Sequence, residues 1–245
     1  MIRSSQWHRL PSAPVLAALP QMKWSTADGA KPAGETAALM LFVALNFMAT
    51  AWLDEQGRYV AIAEGTYVDL REATGLSRAL ISAGLQRLVA LGLIAPEGSR
   101  QKRRYKINWP EEHRFFKLPC HAIVASNVIR PFPHFTMRSK HELHAMKLYL
   151  YFAAIRSNHA YFSMASYETI FERTGISERD IRKAISLLIG TGLLVGINRD
   201  HNHILTRNEP NKYYLTGYPA LVQQKSGTPD GAAAATVVLP VAAAT

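Results

Sequence analysis

The chain has 245 residues, 48% of them hydrophobic and 19% charged, which is typical of folded globular protein and long enough for two domains. Its net charge of +10 favours a polyanionic partner, either nucleic acid or an anionic membrane surface. The longest apolar run, residues 37–45, is far short of the roughly 20 residues that span a bilayer. A single cysteine, Cys120, excludes an internal disulfide framework and is expected to be a small apolar core residue. We therefore expect a cytoplasmic, nucleoid-associated protein with no membrane partner.

The first 34 residues are rich in Pro, Ser, Ala and Gly and have no sustained hydrophobic period. Prolines at positions 11, 14 and 20 interrupt an apolar stretch that otherwise faintly resembles a secretory signal. The sequence therefore predicts a flexible N-terminal arm over residues 1–34.

Two units of similar pattern follow the arm. Apolar residues recur at helical spacing over residues 35–52, and the same pattern returns over residues 142–156. Each unit thus begins with a predicted amphipathic helix, and we place the units at residues 35–108 and 138–218. The connection after the first helix is about seven residues longer than the second, and its residues 58–62 favour a short strand.

A duplicated segment lies inside these units. When residues 66–94 are aligned without gaps to residues 166–194, nine of the 29 positions are identical. Both copies contain Thr-Gly-(Leu/Ile)-Ser between two helical patterns, which predicts a helix-turn-helix. Gly75 and Gly175 supply the left-handed backbone that ends a helix, and Ser77 and Ser177 can cap the next one.

The second helix of each copy has an apolar stripe and a free polar face. The stripes consist of Ile81, Leu85, Leu88 and Val89 in the first unit and of Ile181, Ile185, Leu188 and Ile189 in the second. Asp180, three residues after Ser177, predicts a variant of the capping box that the first copy lacks. These helices end at Gly92 and Gly192, and each is followed by two β-like runs around a polar turn.

The sequence therefore predicts a mainly α fold with small β wings, an α+β class, built from two tandem winged helix-turn-helix domains. Leu-Gly-Leu-Ile at residues 91–94, after a capped helix and before a hairpin, resembles the winged-helix domains of bacterial regulators and of tandem winged-helix plasmid replication initiators. The resemblance covers about residues 35–108 and 140–218. Between the units, residues 109–137 contain four prolines and predict a packed linker without long helices. The alanine-rich residues 219–245 predict a disordered tail.

Recognition helices enter the major groove of DNA by their solvent faces. Candidate DNA-contacting residues on the predicted helix faces are Arg78, Ser82, Gln86 and Arg87 in the first unit, and Arg179, Arg182, Lys183 and Ser186 in the second. In the predicted wings the candidates are Arg100, Lys102, Arg103, Arg104 and Lys106 in the first unit, and Arg199 in the second. Arg and Gln suit guanine and adenine edges, whereas Lys and Ser more often bind phosphates. Each set has a structural alternative, an ordinary solvated helix face or a solubilising turn.

Catalytic and cofactor chemistry has little support in the sequence. His201-Asn-His203 could hold a metal, but no third ligand or supporting acid is close in sequence, so we interpret it as part of a polar wing. We expect no enzyme activity, no cofactor and no metal.

Three functions remain open. The leading one is a sequence-specific binder of double-stranded DNA with two unlike half-sites, either a replication initiator of a plasmid or phage-like element or a transcriptional repressor. A homodimer and contacts with replication or transcription machinery are possible partners. The other class is a protein-binding structural component of a chromosome complex.

Overall fold

The computed structural model describes residues 1–3, 5–25, 32–98, 103–112, 114–198 and 210–222. It is a mixed α+β fold, in agreement with the predicted class. In chain order the described elements are β1 (Trp7–Pro11), α1 (Ser12–Ala18), α2 (Pro32–Met48), β2 (Ala49–Leu53), β3 (Tyr59–Glu64), α3 (Tyr67–Thr74), α4 (Arg78–Ala90), β4 (Ile94–Glu97), β5 (Arg104–Ile107), β6 (Phe115–Pro119), β7 (Val124–Ala125), β8 (Val128–Ile129), α5 (Lys140–Ile155), β9 (Ser163–Ala165), α6 (Tyr167–Thr174), α7 (Glu178–Gly190), β10 (Leu194–Asn198) and β11 (Asn211–Leu215).

The predicted turn between the second and third helices is present in both units. Gly75 ends α3 with φ of 73°, and Gly175 ends α6 with φ of 69°. The Ser77 and Ser177 hydroxyls then cap α4 and α7 by accepting backbone N–H groups three residues on. Glycine is needed at this turn because a side chain is strained in the left-handed region. The helix-turn-helix geometry therefore follows from the residues that the duplicated segment shares.

Capping boxes occur at other helix starts than the one predicted. Thr66 and Asp69 form one at α3, and Ser139 and Glu142 form one at α5. The predicted box partner, Asp180, does not reach back to the backbone of Ser177. Its carboxylate instead accepts hydrogen bonds from the Ser177 hydroxyl at 3.0 Å and from the Lys140 ammonium at 2.9 Å.

A small antiparallel sheet follows the helices of each unit. In the first unit the strand order is β2-β3-β5-β4, and in the second it is β10-β11-β9. The predicted strand at residues 58–62 is β3. The predicted helix over residues 35–52 was too long, because α2 ends at Met48 and residues 49–53 form β2, which pairs with β3. The longer connection of the first unit is thus an extra β-hairpin.

The core joins the two units. Helices α2 and α5 pack on each other, and α2 also packs on α4 while α5 packs on α7. Thirteen consecutive α2 residues, from 36 to 48, are buried, so the helix is not the amphipathic surface helix that the sequence predicted. A helix that is apolar all round has to be enclosed on every side. In the described residues, the two units therefore share one continuous core.

The expected flexible arm is wrong for residues 7–22. Strand β1 pairs with β6 over five residues, and the side chains of Leu10, Val15 and Leu19 are fully buried. The prolines do not break this segment, because they lie at helix starts, where a missing N–H leaves no bond unmade. Residues 26–31 lie outside the described part.

The segment between the units is packed, as predicted, and it contributes β6 to the two-stranded β1–β6 sheet. Cys120 follows β6 and is buried, which raises the pKa of its thiol to about 11 and agrees with a core role. The chain then ends its described part in a short 3₁₀ helix, Tyr218–Leu221, whose Tyr218 hydroxyl donates to the Lys117 carbonyl at 2.8 Å. Most of the predicted tail, residues 223–245, lies outside the described residues. Across the described ranges, no helix combines the length and apolar character that a bilayer span requires.

Candidate nucleic-acid interface

Helices α4 and α7 each bury one face and leave the other free. Ile81, Leu85 and Leu88 in α4 are buried, and so are Ile181, Ile185 and Leu188 in α7. The fourth members of the predicted stripes, Val89 and Ile189, are instead 42% and 43% exposed. The buried stripes are therefore one residue shorter than predicted.

A glycine sets how closely α4 approaches α2. A Cβ on Gly84 would lie 2.7 Å from the Leu41 Cδ1 atom, 2.9 Å from the Ala38 nitrogen and 3.0 Å from the Ala37 carbonyl carbon. Two of these atoms are backbone, which cannot rotate away. The corresponding residue of α7 is Ala184, which is fully buried. The contact between α4 and α2 therefore requires glycine, and it fixes the orientation of the free α4 face.

A groove lies between the free face of α4 and the β4–β5 hairpin. It has a volume of about 580 Å³, and its polar lining includes Ser82 and Gln86 from the helix and Arg103 and Arg104 from the hairpin. Arg78 lies near its edge, exposed on the first turn of α4. Five of the predicted residues thus come together around one concave surface.

Tyr67, which the sequence reasoning missed, lies between two of these arginines. The Arg103 guanidinium carbon is 4.7 Å from the centre of the Tyr67 ring, and that of Arg78 is 5.6 Å from it. Both distances are within the range of a cation–π contact. The signal was present in the sequence, because Tyr67 and Tyr167 are identical in the two copies and each begins the first helix of its turn.

Arg103 is also held by hydrogen bonds. Those to the Tyr105 and Tyr67 side chains raise the pKa of the guanidinium, and its positive charge is retained. Burial raises the pKa of Tyr105, so its hydroxyl stays protonated at neutral pH. Two tyrosines therefore present a fixed cation on an exposed hairpin.

The neighbouring cations of the hairpin have other surroundings. Arg104 forms an ion pair with Glu64 of β3 at 2.7 Å, although both side chains are about half exposed or more. An exposed pair of this kind contributes little and is readily exchanged for another anion. Lys106 is exposed but lines a separate recess with Asp54 and Trp109. Among the described hairpin cations, only Arg103 and Arg104 line the groove.

Arg87 does not lie on the free face, contrary to the prediction. Its guanidinium contacts the Glu35 carboxylate of α2 at 2.8 Å and donates to the Gln21 carbonyl at 3.2 Å. The side chain is 31% exposed and Glu35 is 17% exposed. The prediction failed because it treated residues 1–34 as a loose arm, whereas Gln21 lies beside α4 and its carbonyl accepts a hydrogen bond from Arg87.

The second unit presents its candidates on the free face of α7. Arg179, Arg182, Lys183 and Ser186 are all exposed. Arg182 pairs with Glu178 at 3.0 Å, with both side chains more than 60% exposed, and its guanidinium carbon lies 6.0 Å from the Tyr167 ring centre. Glu178 occupies the position that corresponds to Arg78, so the two helix faces differ in charge as well as in residue type.

Several predicted residues lie outside the described part of the chain. They are Arg100, Lys102, Arg199, His201 and His203.

Comparison with known proteins supports one part of this assignment. Residues 143–194, from α5 to the start of β10, match the family model of a helix-turn-helix domain. No curated protein and no solved structure is significantly similar to the chain. A helix-turn-helix domain suggests DNA as a partner, and the match includes Arg179, Arg182, Lys183 and Ser186.

Proposed function

We propose that this chain is a sequence-specific, non-enzymatic binder of double-stranded DNA with two winged helix-turn-helix domains. The main support is the groove between α4 and the β4–β5 hairpin, where polar and cationic side chains converge beside a helix-turn-helix. The same order of helices, turn and hairpin recurs in the unit that matches the helix-turn-helix family model.

In the first domain, α4 reads base edges while the hairpin holds the backbone. Arg78 and Gln86 are exposed along the free face of α4, and they bond bidentately to guanine and adenine respectively. Ser82, between them, donates to a base or a phosphate. Arg103 contacts phosphate, because a cation fixed by two tyrosines pays little entropy on binding. Arg87 is excluded from this set, since it is bound to Glu35.

In the second domain, α7 reads a different sequence. Arg182 and Lys183 stand where the first domain has Ser82 and Ala83, so the two faces cannot prefer the same bases. The target therefore consists of two unlike half-sites rather than a palindrome. Because the domains share one core, they address one duplex together without a homodimer.

The biological process is replication initiation or transcriptional repression, with the protein acting in the cytoplasm on the nucleoid. We favour initiation on a plasmid or phage-like element, by analogy with tandem winged-helix initiators.

A protein partner on the second unit is the alternative function. Phe171 of α6 is 55% exposed and Val195 of β10 is 69% exposed, and the residue that corresponds to Phe171 in the first unit is Arg71. Apolar exposure beside a recognition helix suits a docked protein as part of a larger nucleoprotein complex.

Salt dependence of DNA binding tests the proposal. Each phosphate neutralised contributes about −0.9 to the slope of log K against log salt, so binding should weaken steeply between about 50 and 200 mM. Arg103→Ala should make that slope about 0.9 shallower and weaken all sequences alike. The matched control is Arg114→Ala, an exposed cation outside the groove, which should leave the slope unchanged. Salt-independent binding, or no binding to duplex DNA at all, would contradict the proposal and favour the protein partner.

A further inference from the structure

Three potential metal ligands converge where α5 begins beside the first turn of α7. They are His141 and His144, three residues apart on one face of α5, and Asp180 of α7. Their ligand atoms all lie within 4.8 Å of one another. Two imidazole nitrogens and a carboxylate oxygen are the donor set of three-ligand zinc sites, in which a water occupies the fourth position.

The Asp180 carboxylate is already oriented for such a role. Its Oδ2 atom accepts hydrogen bonds from the Lys140 ammonium and the Ser177 hydroxyl, while its Oδ1 atom lies 3.7 Å from the His141 Nδ1 atom. One oxygen is therefore held from behind and the other faces the histidines. Hydrogen bonds of this kind to a ligating carboxylate are a common feature of metal sites.

Both imidazoles have a buried nitrogen that lacks a partner. The Nδ1 atoms of His141 and His144 are shielded from solvent and make no hydrogen bond within the described part of the chain. A buried polar atom without a partner is unfavourable, and a metal ion would satisfy it. Burial also lowers the pKa of both rings, that of His144 to about 4, so the neutral form that binds metals prevails at neutral pH.

The surroundings define what the site requires. Glu142, between the two histidines, is not available as a ligand, because its carboxylate accepts the backbone N–H groups of Arg138 and Ser139. Lys140, Lys147 and Lys183 place positive charge near the histidines, and this charge lowers the affinity of the site for any cation. Tetrahedral zinc ligands, at about 2.0–2.2 Å from the metal, stand roughly 3.3–3.6 Å apart, so the side chains must close in by about 1 Å.

We propose that His141, His144 and Asp180 bind a divalent transition metal ion such as Zn²⁺, with a water as the fourth ligand. The ion joins the start of α5 to the start of α7 and so fixes the first turn of the helix that carries Arg179 and Arg182. Metal binding does not depend on the proposed DNA function, and its test uses no DNA.

Calorimetric titration of the full chain, free of any affinity tag and stripped with a chelator, tests the site. One Zn²⁺ ion should bind per chain, and saturating Zn²⁺ should raise the melting temperature. His144→Asn and Asp180→Asn should each weaken binding by more than about tenfold, since even the partners behind metal ligands account for about 10–100-fold. Circular dichroism and cooperative melting of the metal-free variants establish that they fold.

Two control variants test whether other histidines of the chain contribute to metal binding. His134→Asn removes an exposed histidine, and the double variant His201→Asn/His203→Asn removes the pair in the predicted second wing. Both should bind Zn²⁺ like the parent chain. The proposal would be overturned if the parent chain did not bind one Zn²⁺ ion. It would also be overturned if the folded His144→Asn and Asp180→Asn variants kept full Zn²⁺ affinity, or if the double variant lost it.

Discussion

At the scale of single residues, the contacts of Arg87 separate a structural role from a DNA-reading role. Arg87→Ala should lower the free energy of unfolding by about 1–3 kcal/mol, because it removes the ion pair with Glu35 and the hydrogen bond to the Gln21 carbonyl. Denaturant unfolding measures this loss, and Gln86→Ala, on the exposed side of the same helix, is the control that should be nearly neutral. A parent-like stability together with altered base preference would mean that Arg87 does face DNA.

Tyr67 should act on DNA affinity through the arginines that it orients. Tyr67→Ala should weaken binding to all duplexes by about two- to fivefold, the magnitude expected of an exposed cation–π contact. Tyr67→Phe keeps the ring and should retain most of the affinity. Equal losses in both variants, measured by fluorescence anisotropy, would instead assign the effect to the hydroxyl.

The residue-scale predictions succeeded where the determinants are local. A glycine and a serine two residues later define a turn and a cap by their own backbone and hydroxyl, so Gly75, Ser77 and their counterparts were predictable. The orientation of Arg87 was not, because it depends on Glu35 in another helix and on Gln21, 66 residues away in sequence. The role of Tyr67 was overlooked although the repeat contained it.

At the scale of elements, exchanging residues between the two units tests the close contact of α4 with α2. Gly84→Ala introduces the residue of the second unit and should destabilise the fold by about 1–3 kcal/mol, since the new Cβ meets backbone atoms. Gly190→Ala introduces the residue of the first unit. The added Cβ would meet no atom of the described residues outside its own helix within 4 Å, so the change should stabilise α7 by up to about 1 kcal/mol.

Thermal or denaturant unfolding of the two variants measures both changes. A neutral or stabilising Gly84→Ala would show that α2 and α4 can separate without penalty, and that the α4 face is not fixed by this contact. Because helix propensity favours alanine at both positions, opposite signs can come only from packing.

The elements themselves were predictable to the extent that they follow hydrophobic periodicity. Helices α2 to α7 and the two hairpins lie close to their predicted positions, but β2 was taken as the end of a helix, since residues 49–53 continue an apolar run and their pairing with β3 is not local. Strand β1 was not predicted for the same reason, because its partner β6 lies more than 100 residues later in the sequence.

At the scale of the whole molecule, one core joins the two units, and it would hold the two proposed DNA-reading helices in a fixed relative orientation. Helices α2 and α5 pack against each other, and the buried Lys147 of α5 donates to the Met22 carbonyl of the N-terminal segment at 3.1 Å. Burial lowers the pKa of this ammonium to about 8, because the charged form loses its contact with water. The hydrogen bond to Met22 offsets part of that cost. The sequence predicted separate domains because no local pattern indicates that α2 and α5, about 100 residues apart, will pack on each other.

Selection of bound duplexes from a random pool tests whether α4 and α7 each read their own half-site. The parent chain should select two unlike motifs about 10 base pairs apart, centre to centre. Gln86→Ala should relax preference in one motif only and Arg182→Ala in the other only, each by about 1–3 kcal/mol at the affected base pair. If the Arg182→Ala variant selects the same two motifs as strongly as the parent chain, α7 does not read DNA, and the second unit serves instead as a surface for a protein partner.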